Sequence, residues 1–199
     1  MHMRFFSIDM DLRWAGWLFS CTVRLMAGAA VLALAGCSPA LNWREVRPEA
    51  TSLRLLLPCK PDRAEKSVPL GGQPALLRLM GCDADGATFA VAVATLALPA
   101  GANPANVLAQ WQSLSLVNMG APAQPASALP LKIQGWQAVA GMPLPLRIRA
   151  LGKRADGTPV AGEMAFFAQG SEVFQVVVYA AKLTPEMADT FFDSLVFEQ

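Results

Sequence analysis

The sequence predicts an α+β fold, in which an antiparallel β-sheet is covered by helices and preceded by a hydrophobic N-terminal helix. Two observations carry this prediction. Runs of alternating or continuous apolar residues, typical of strands, lie on both sides of a segment whose apolar residues recur every three or four positions. A second segment with helical spacing follows the last strand pattern. The order strands, helix, strands, helix favours a sheet with helices packed on it.

The N-terminal segment has the pattern of a secretory signal. Arg13 and Arg24 precede the uncharged stretch 25–35, LMAGAAVLALA, which is too short to cross about 30 Å of hydrocarbon as a helix by itself. We therefore predict that residues 1–36 are a signal peptide that forms the N-terminal hydrophobic signal helix. The alternative is an uncleaved anchor in the inner membrane, because the longer stretch 14–35 is interrupted only by Arg24.

A cysteine follows this stretch directly. The run Leu34-Ala35-Gly36-Cys37 resembles the lipobox of bacterial lipoproteins. The resemblance implies that Cys37 is acylated on its sulfur and becomes the first residue after cleavage. Each buried methylene contributes about 0.8 kcal/mol, so two or three acyl chains would hold the protein on a membrane. Because residue 38 is Ser rather than Asp, the same resemblance implies the outer membrane, with the inner membrane as the alternative.

Two further cysteines, Cys59 and Cys82, lie in the body of the chain. An even pair in an exported domain is typical of a disulfide, because an oxidising compartment preserves the bond. A metal site would need more soft ligands, and these cysteines have neither CxxC spacing nor a nearby histidine. We therefore predict a Cys59–Cys82 disulfide, no metal site and no cofactor.

Residues 37–51 are predicted to be a polar tether, and residues 52–199 a single α+β domain. The segment 52–58, SLRLLLP, has the composition of a buried strand that ends at proline. The segments 74–82 and 88–98 flank the turn sequence DADG, which predicts an antiparallel hairpin. In the second hairpin strand, bulky residues alternate with alanines, so one face is thick and the other thin enough for a helix to pack closely.

An amphipathic helix is predicted after this hairpin. Asn103 is a suitable cap, Pro104 suits the first helical position, and Gly120 suits the end. The apolar residues of the predicted buried stripe are Val107, Leu108, Trp111, Leu114 and Val117.

The last third of the chain repeats the sheet pattern. After a proline-rich loop at 121–130, strands are predicted at 144–153, 160–169 and 172–181. In the first of these strands, Leu144, Leu146 and Ile148 alternate with Arg147 and Arg149, which is typical of a half-solvated strand. Thr184 and Pro185 then begin a second helix.

This order of elements, together with the ending FFDSLVFEQ, resembles the PsbP-like α/β/α sandwich over residues 52–199. Proteins of this type include accessory subunits of membrane complexes and exported lipoproteins without assigned activity. The resemblance therefore implies a binding or assembly role rather than catalysis. No functional residue of the family can be placed on this sequence, because no site motif matches.

Several classes of function are excluded by the residue types. The single histidine, His2, lies in the predicted signal peptide, so the body lacks the imidazole that Ser-His-Asp or Cys-His hydrolysis requires. The formal net charge is +1, and no basic stripe suited to nucleic acid is present. The glycines match no phosphate-binding motif, and the DADG turn lacks later calcium ligands because Ala87 and Ala94 occupy their positions.

The sequence therefore predicts a non-catalytic, lipid-anchored module on the periplasmic face of the outer membrane, which binds an envelope protein or complex. Trp136 and Met142, which lie among prolines, are predicted to form a partner patch. The structural alternative is that Trp136 covers one end of the sheet. The competing function is a cell-envelope hydrolase that uses carboxylates only, with Glu163 and Glu172 as its candidates.

Overall fold

The computed structural model describes residues 40–96 and 104–198. Ten strands and two helices lie in this part of the chain. In chain order they are β1 (Arg44–Val46), β2 (Leu53–Leu57), β3 (Asp62–Leu70), β4 (Gln73–Ala84), β5 (Ala87–Thr95), α1 (Pro104–Asn118), β6 (Ser127–Pro130), β7 (Leu146–Lys153), β8 (Pro159–Gln169), β9 (Glu172–Ala180), α2 (Pro185–Asp193) and β10 (Val196–Phe197).

The strands form two antiparallel sheets. The larger sheet has seven strands in the order β3-β4-β5-β9-β8-β7-β6, and the smaller has three in the order β1-β2-β10. At the centre of the larger sheet, Val176 of β9 lies opposite Val91 of β5 on one side and Ala165 of β8 on the other. Because neighbours in the register share a face, these central strands bury one continuous apolar surface.

The predicted fold class is wrong. We expected an α+β fold with an antiparallel sheet covered by helices, but the described part is mostly β, with two antiparallel sheets and only two helices. The α/β/α sandwich implied by the resemblance is corrected for the same reason. The strand β2 accounts for the difference, because Leu53, Leu55 and Leu57 are all buried against the larger sheet where a helix was expected.

One face of the larger sheet, called here the closed face, carries Phe89, Val91 and Val93 of β5. The leucines of β2 and the apolar side of α2 cover this face. The two layers are tied together at Ser194, whose hydroxyl accepts a hydrogen bond from the Leu56 N–H at 2.9 Å. As predicted, α2 begins at Thr184, whose hydroxyl accepts a hydrogen bond from the Met187 N–H at 3.3 Å.

The predicted disulfide between Cys59 and Cys82 is confirmed, with the two Cα atoms 6.0 Å apart. Cys59 follows β2 and Cys82 belongs to β4, where it packs against the core of the closed face. The bond therefore fastens the smaller sheet to the larger one.

The described part of the predicted tether belongs to the domain. Strand β1 pairs with β2, and Trp43 packs edge-on against Phe89 with 5.7 Å between the ring centroids. Leu41 and Val46 also contact the core of the closed face. The compact unit that contains all the described residues therefore begins at Ala40 rather than at residue 52.

The other face of the larger sheet, called here the open face, carries Ala92 and Ala94 of β5 and is covered by α1. The thin alanine face thus receives a helix, as predicted. Within the predicted stripe of α1, Val107, Leu108 and Trp111 are buried, but the sheet-facing side continues through Ser115, Leu116 and Met119.

Two residues of the predicted stripe are exposed: Leu114 at 45% and Val117 at 66%. Val117 follows Leu108 by nine residues, and at about 100° per residue this places the two side chains on opposite sides of the helix. Leu114 lies at the edge of the buried stripe, where it borders a cleft.

Candidate functional site

The helix α1 covers only part of the open face and leaves a cleft of about 620 Å³ beside it. This volume lies in the range of about 300–1,000 Å³ that is typical of small-molecule sites. The strands of the sheet supply ten lining residues: Lys66, Val68, Pro69, Leu70, Leu77, Thr88, Lys153, Val160, Gln175 and Tyr179. Arg154, directly after β7, adds one more. The helix side supplies Trp111, Leu114, Ser115 and Asn118 of α1, and Met119 directly after it.

Two contacts hold α1 in place across the sheet. Near the β3–β4 turn, the Gly71 N–H donates to the side-chain oxygen of Gln110 at 3.2 Å. After the C-terminal end of the helix, the Lys153 N–H donates to the Met119 carbonyl at 2.8 Å. A Cβ atom at Gly152 would lie 1.9 Å from that carbonyl, so only glycine permits this approach. The position of the cleft wall therefore depends on both ends of α1.

A short chain of hydrogen bonds crosses the floor of the cleft. The Gln175 amide donates to the Ser115 hydroxyl at 2.9 Å, and that hydroxyl donates to the Trp111 carbonyl at 2.9 Å. Trp111 also packs edge-on against Phe166, with 6.0 Å between the ring centroids. The hydroxyl of Ser115 is thus engaged with backbone and amide groups, and its hydrogen-bond partners among the described residues include no base.

Tyr179 forms the part of the floor that is farther along β9. A Cβ atom at Gly162 would lie 2.9 Å from the Tyr179 ring, so the missing side chain at Gly162 makes room for the ring. Burial raises the pKa of Tyr179 above its ordinary value. Within the described residues, the Tyr179 hydroxyl makes no hydrogen bond to another protein group, which leaves it able to donate to a ligand.

The charged groups of the cleft are all positive. Lys66, Lys153 and Arg154 line it, and the described lining residues include no Asp or Glu. None of these three cations forms an ion pair with another described residue. The nearby Asp156 carboxylate accepts a hydrogen bond from the Thr158 hydroxyl at 2.7 Å, which, with a smaller contribution from Arg154, lowers the pKa of Asp156. The described residues that line the cleft therefore carry net positive charge, while the Asp83 carboxylate accepts a hydrogen bond from the lining residue Thr88 at 2.5 Å.

The two carboxylates proposed for a hydrolase are not brought together. Glu163 is buried and is paired with Arg147 at 2.5 Å, and also with Arg149 at 3.4 Å. Glu172 lies 3.7 Å from Arg78, and burial raises the pKa of Glu172 while that arginine opposes the shift.

In the register of β8 and β9, Glu172 lies opposite Gln169, six residues along β8 from Glu163. Six residues of strand span about 20 Å. The paired acids of glycosidases lie only about 5–9.5 Å apart, so this pair does not have the required geometry.

The predicted partner patch is divided between the two faces. The Trp136 ring N–H donates to the Ala168 carbonyl at 2.8 Å, and the side chain packs against the core of the closed face. Met142 packs against the core of the open face. Trp136 thus covers one end of the sheet, as the structural alternative expected. A partner contact at these two residues stays a prediction.

The predicted signal peptide 1–36, the lipidation site Cys37 and the alternative anchor at 14–35 lie outside the described residues. In the part that is described, no helix is long and apolar enough to cross a membrane, and no cluster of His, Cys, Asp or Glu side chains is suited to a metal ion. Comparisons of the chain with models of protein families and with curated proteins find no match. The function is therefore argued from the geometry of the cleft.

Proposed function

We propose that this chain is a lipid-anchored binding module of the bacterial cell envelope and that its ligand binds in the cleft beside α1. The observation that carries the proposal is a cleft of about 620 Å³ that combines apolar walls with three cations that form no ion pair in the described chain. Binding sites of this kind are concave and mostly apolar, with a few polar groups that orient the ligand.

The lining residues support binding rather than catalysis. A hydrolytic site needs a nucleophile beside a base, and the cleft contains no histidine or carboxylate among its described lining residues. Its buried hydroxyl, Ser115, donates to the Trp111 carbonyl instead. The charge and shape of the cleft therefore suit recognition.

The membrane attachment is supported by the sequence. The run Leu34 to Cys37 has the pattern of a lipobox, and we propose that acylated Cys37 holds the domain on the periplasmic face of the outer membrane. The inner membrane is the alternative destination.

The binding site is tested by photocrosslinking in intact cells. A photoreactive phenylalanine analogue at Leu114, which borders the cleft, should form a discrete adduct whose mass identifies the ligand. The matched control places the analogue at Leu151, which is 58% exposed and does not line the cleft. Equal labelling from both positions, or labelling only from Leu151, would contradict the proposal.

The anchor is tested by metabolic labelling with palmitate. The wild-type chain should incorporate the label, and Cys37→Ala should lose it. Cys21→Ala is the matched control, because it removes a cysteine of the leader and should leave labelling unchanged. Label that persists in the Cys37→Ala protein would rule out the anchor.

A further inference from the structure

We propose that the ligand of this cleft is a single-chain amphiphile with an anionic head group. The inference rests on the proposed function, since it names the class of ligand for the same cleft.

The apolar part of the cleft lies between the β3–β4 hairpin and α1. Val68 and Leu77 lie on the hairpin, while Trp111 and Leu114 form the helix side. Leu114 is 45% exposed, although it belongs to a helix whose neighbouring residues Ser115 and Leu116 are buried. An acyl chain in this position would cover the apolar surface that α1 leaves accessible, which is favourable in water.

The charged part of the cleft determines which head group can bind. Lys66 lies on β3, while Lys153 and Arg154 lie at the end of β7 and directly after it. An anionic head would receive charge-assisted hydrogen bonds from these side chains, and such bonds are stronger than those between neutral groups. The Tyr179 hydroxyl and the Asn118 amide add neutral donors. A cationic head would be repelled, and a neutral head would leave the cations unpaired.

The backbone at the floor of the cleft offers no free strand edge to a peptide ligand. One common mode of peptide recognition adds an extended peptide to the free N–H and C=O groups of a strand edge. The strands that line the floor, β5, β8 and β9, lie inside the sheet and pair on both sides. The floor of the cleft thus offers side chains rather than free backbone groups, which suits an amphiphile. The edge strand β3 also lines the cleft, so a peptide adduct at Leu114 is the outcome that would assign the cleft to a peptide instead.

The test is photolabelling of the full chain in phosphatidylcholine nanodiscs with a diazirine analogue of palmitate. Labelled sites are mapped by peptide mass spectrometry, and the readout is labelling at the cleft, on α1 and on the segment from Lys66 to Leu77. We expect labelling there that excess palmitate suppresses. An absence of cleft labelling, with label only elsewhere on the chain, would overturn the inference.

Charge variants test the head group. The triple variant Lys66→Glu, Lys153→Glu and Arg154→Glu should reduce cleft labelling by about tenfold, because three surface ion pairs each contribute modestly and their effects combine. The matched control, Lys60→Glu, Lys132→Glu and Lys182→Glu, makes the same change of net charge at exposed sites outside the cleft and should label like the wild type. If charge reversal prevents folding, the three Gln substitutions repeat the test. Equal labelling of the cleft and control variants would overturn the inference.

Competition with unlabelled amphiphiles distinguishes the possible head groups. Palmitate and lysophosphatidic acid distinguish a carboxylate from a phosphate head, and competition by either one supports the anionic class. Hexadecanol, which has the same chain with a neutral head, should compete at least tenfold less well. If hexadecanol competes equally, the head-group inference is wrong. An adduct at Leu114 in cells that contains no amphiphile would likewise overturn it, yet would leave the proposed binding function in place.

Discussion

The closed and open faces of the seven-stranded sheet are built from the same strands but carry side chains of different size. On β5, the closed face carries Phe89, Val91 and Val93, while the open face carries alanines. The closed face is covered by a second sheet and by α2, whereas the open face is covered by α1 with a cleft beside it. Both faces bury an apolar core, but the open face keeps an accessible cleft beside its covering element.

The largest expected effect is the loss of an aromatic ring from the closed face. Phe89 is fully buried and packs edge-on against Phe191, with 5.4 Å between the ring centroids. Phe89→Ala should lower the free energy of unfolding by about 3–5 kcal/mol, because it leaves a cavity in a packed core. Leu114→Ala, on the wall of the cleft, should change it by no more than about 0.5 kcal/mol. Urea unfolding of both variants measures this difference. Similar losses of unfolding free energy in the two variants would contradict the contrast between the two faces.

The disulfide contributes the next largest effect. Replacing Cys59 and Cys82 together by alanine should cost about 3 kcal/mol on the chain-entropy account, since the bond closes a loop with a sequence separation of 23 residues. The reduced wild-type protein should show a loss of similar size in the same urea unfolding experiment. A double variant as stable as the oxidised protein would show that the bond does not fasten the two sheets.

Removal of the buried ion pair on the closed face should have a smaller effect on stability. Glu163→Gln should lower the free energy of unfolding by about 1–3 kcal/mol, because Arg147 loses a charged hydrogen-bond partner in a largely buried place. Arg147 would keep its 2.8 Å contact with Asp189 and its position over the Phe192 ring. Glu65→Gln, at an exposed carboxylate on β3, is the matched control and should be nearly neutral. Equal effects in the two variants would contradict the account.

The smallest effect on stability is expected from the titration of Tyr179 at the floor of the cleft. Tyr179 is the single tyrosine of the chain, so tyrosinate absorbance reports its titration alone. Burial should place its pKa above the ordinary value of 10.0 in the folded protein, and urea should return it toward that value. Because the folded-state pKa is the higher one, the associated stability is present below the unfolded pKa and is lost as pH rises through the folded pKa. A folded-state pKa at or below the unfolded value would show that Tyr179 is not buried in the cleft.

Much of the fold could be predicted because several elements bury one face. The hairpin of β4 and β5, the hairpin of β8 and β9, and the capped start of α2 all follow from apolar alternation and turn or cap residues. Strand β3 was missed because its sequence, DRAEKSVPL, is charged and contains Pro69. An edge strand that is exposed along most of its length tolerates such a composition and gives no alternating pattern.

The strand β7 and the residues before it show why the burial of side chains could be predicted only in part. Ile148 is buried as expected, but Leu144 and Leu146 are 70% and 43% exposed. The charged Arg147 is instead held near Glu163 and over a phenylalanine ring. Alternation predicts which residues share a face, whereas the covering layer decides which positions along that face are buried.

The cleft itself could not be predicted from the sequence. Lys66 and Lys153 are separated by most of the domain, and only the sheet topology and the placement of α1 bring them to one cleft. Gly152 and Gly162 carried a weak signal, since glycines within strands often mark a close approach of another group. That signal indicates neither the charge nor the volume of the cleft, so the class of ligand that we propose could not be inferred from the sequence.

Binding of an amphiphile at the open face can be measured by methyl NMR of the full chain in phosphatidylcholine nanodiscs, titrated with palmitate. We expect chemical-shift changes for the methyl groups of Val68, Leu114 and Met119 beside the cleft, and no change for Val91 and Val176 in the closed face. Shifts spread equally over both sets of methyl groups, or shifts confined to Val91 and Val176, would contradict the assignment of binding to the open face.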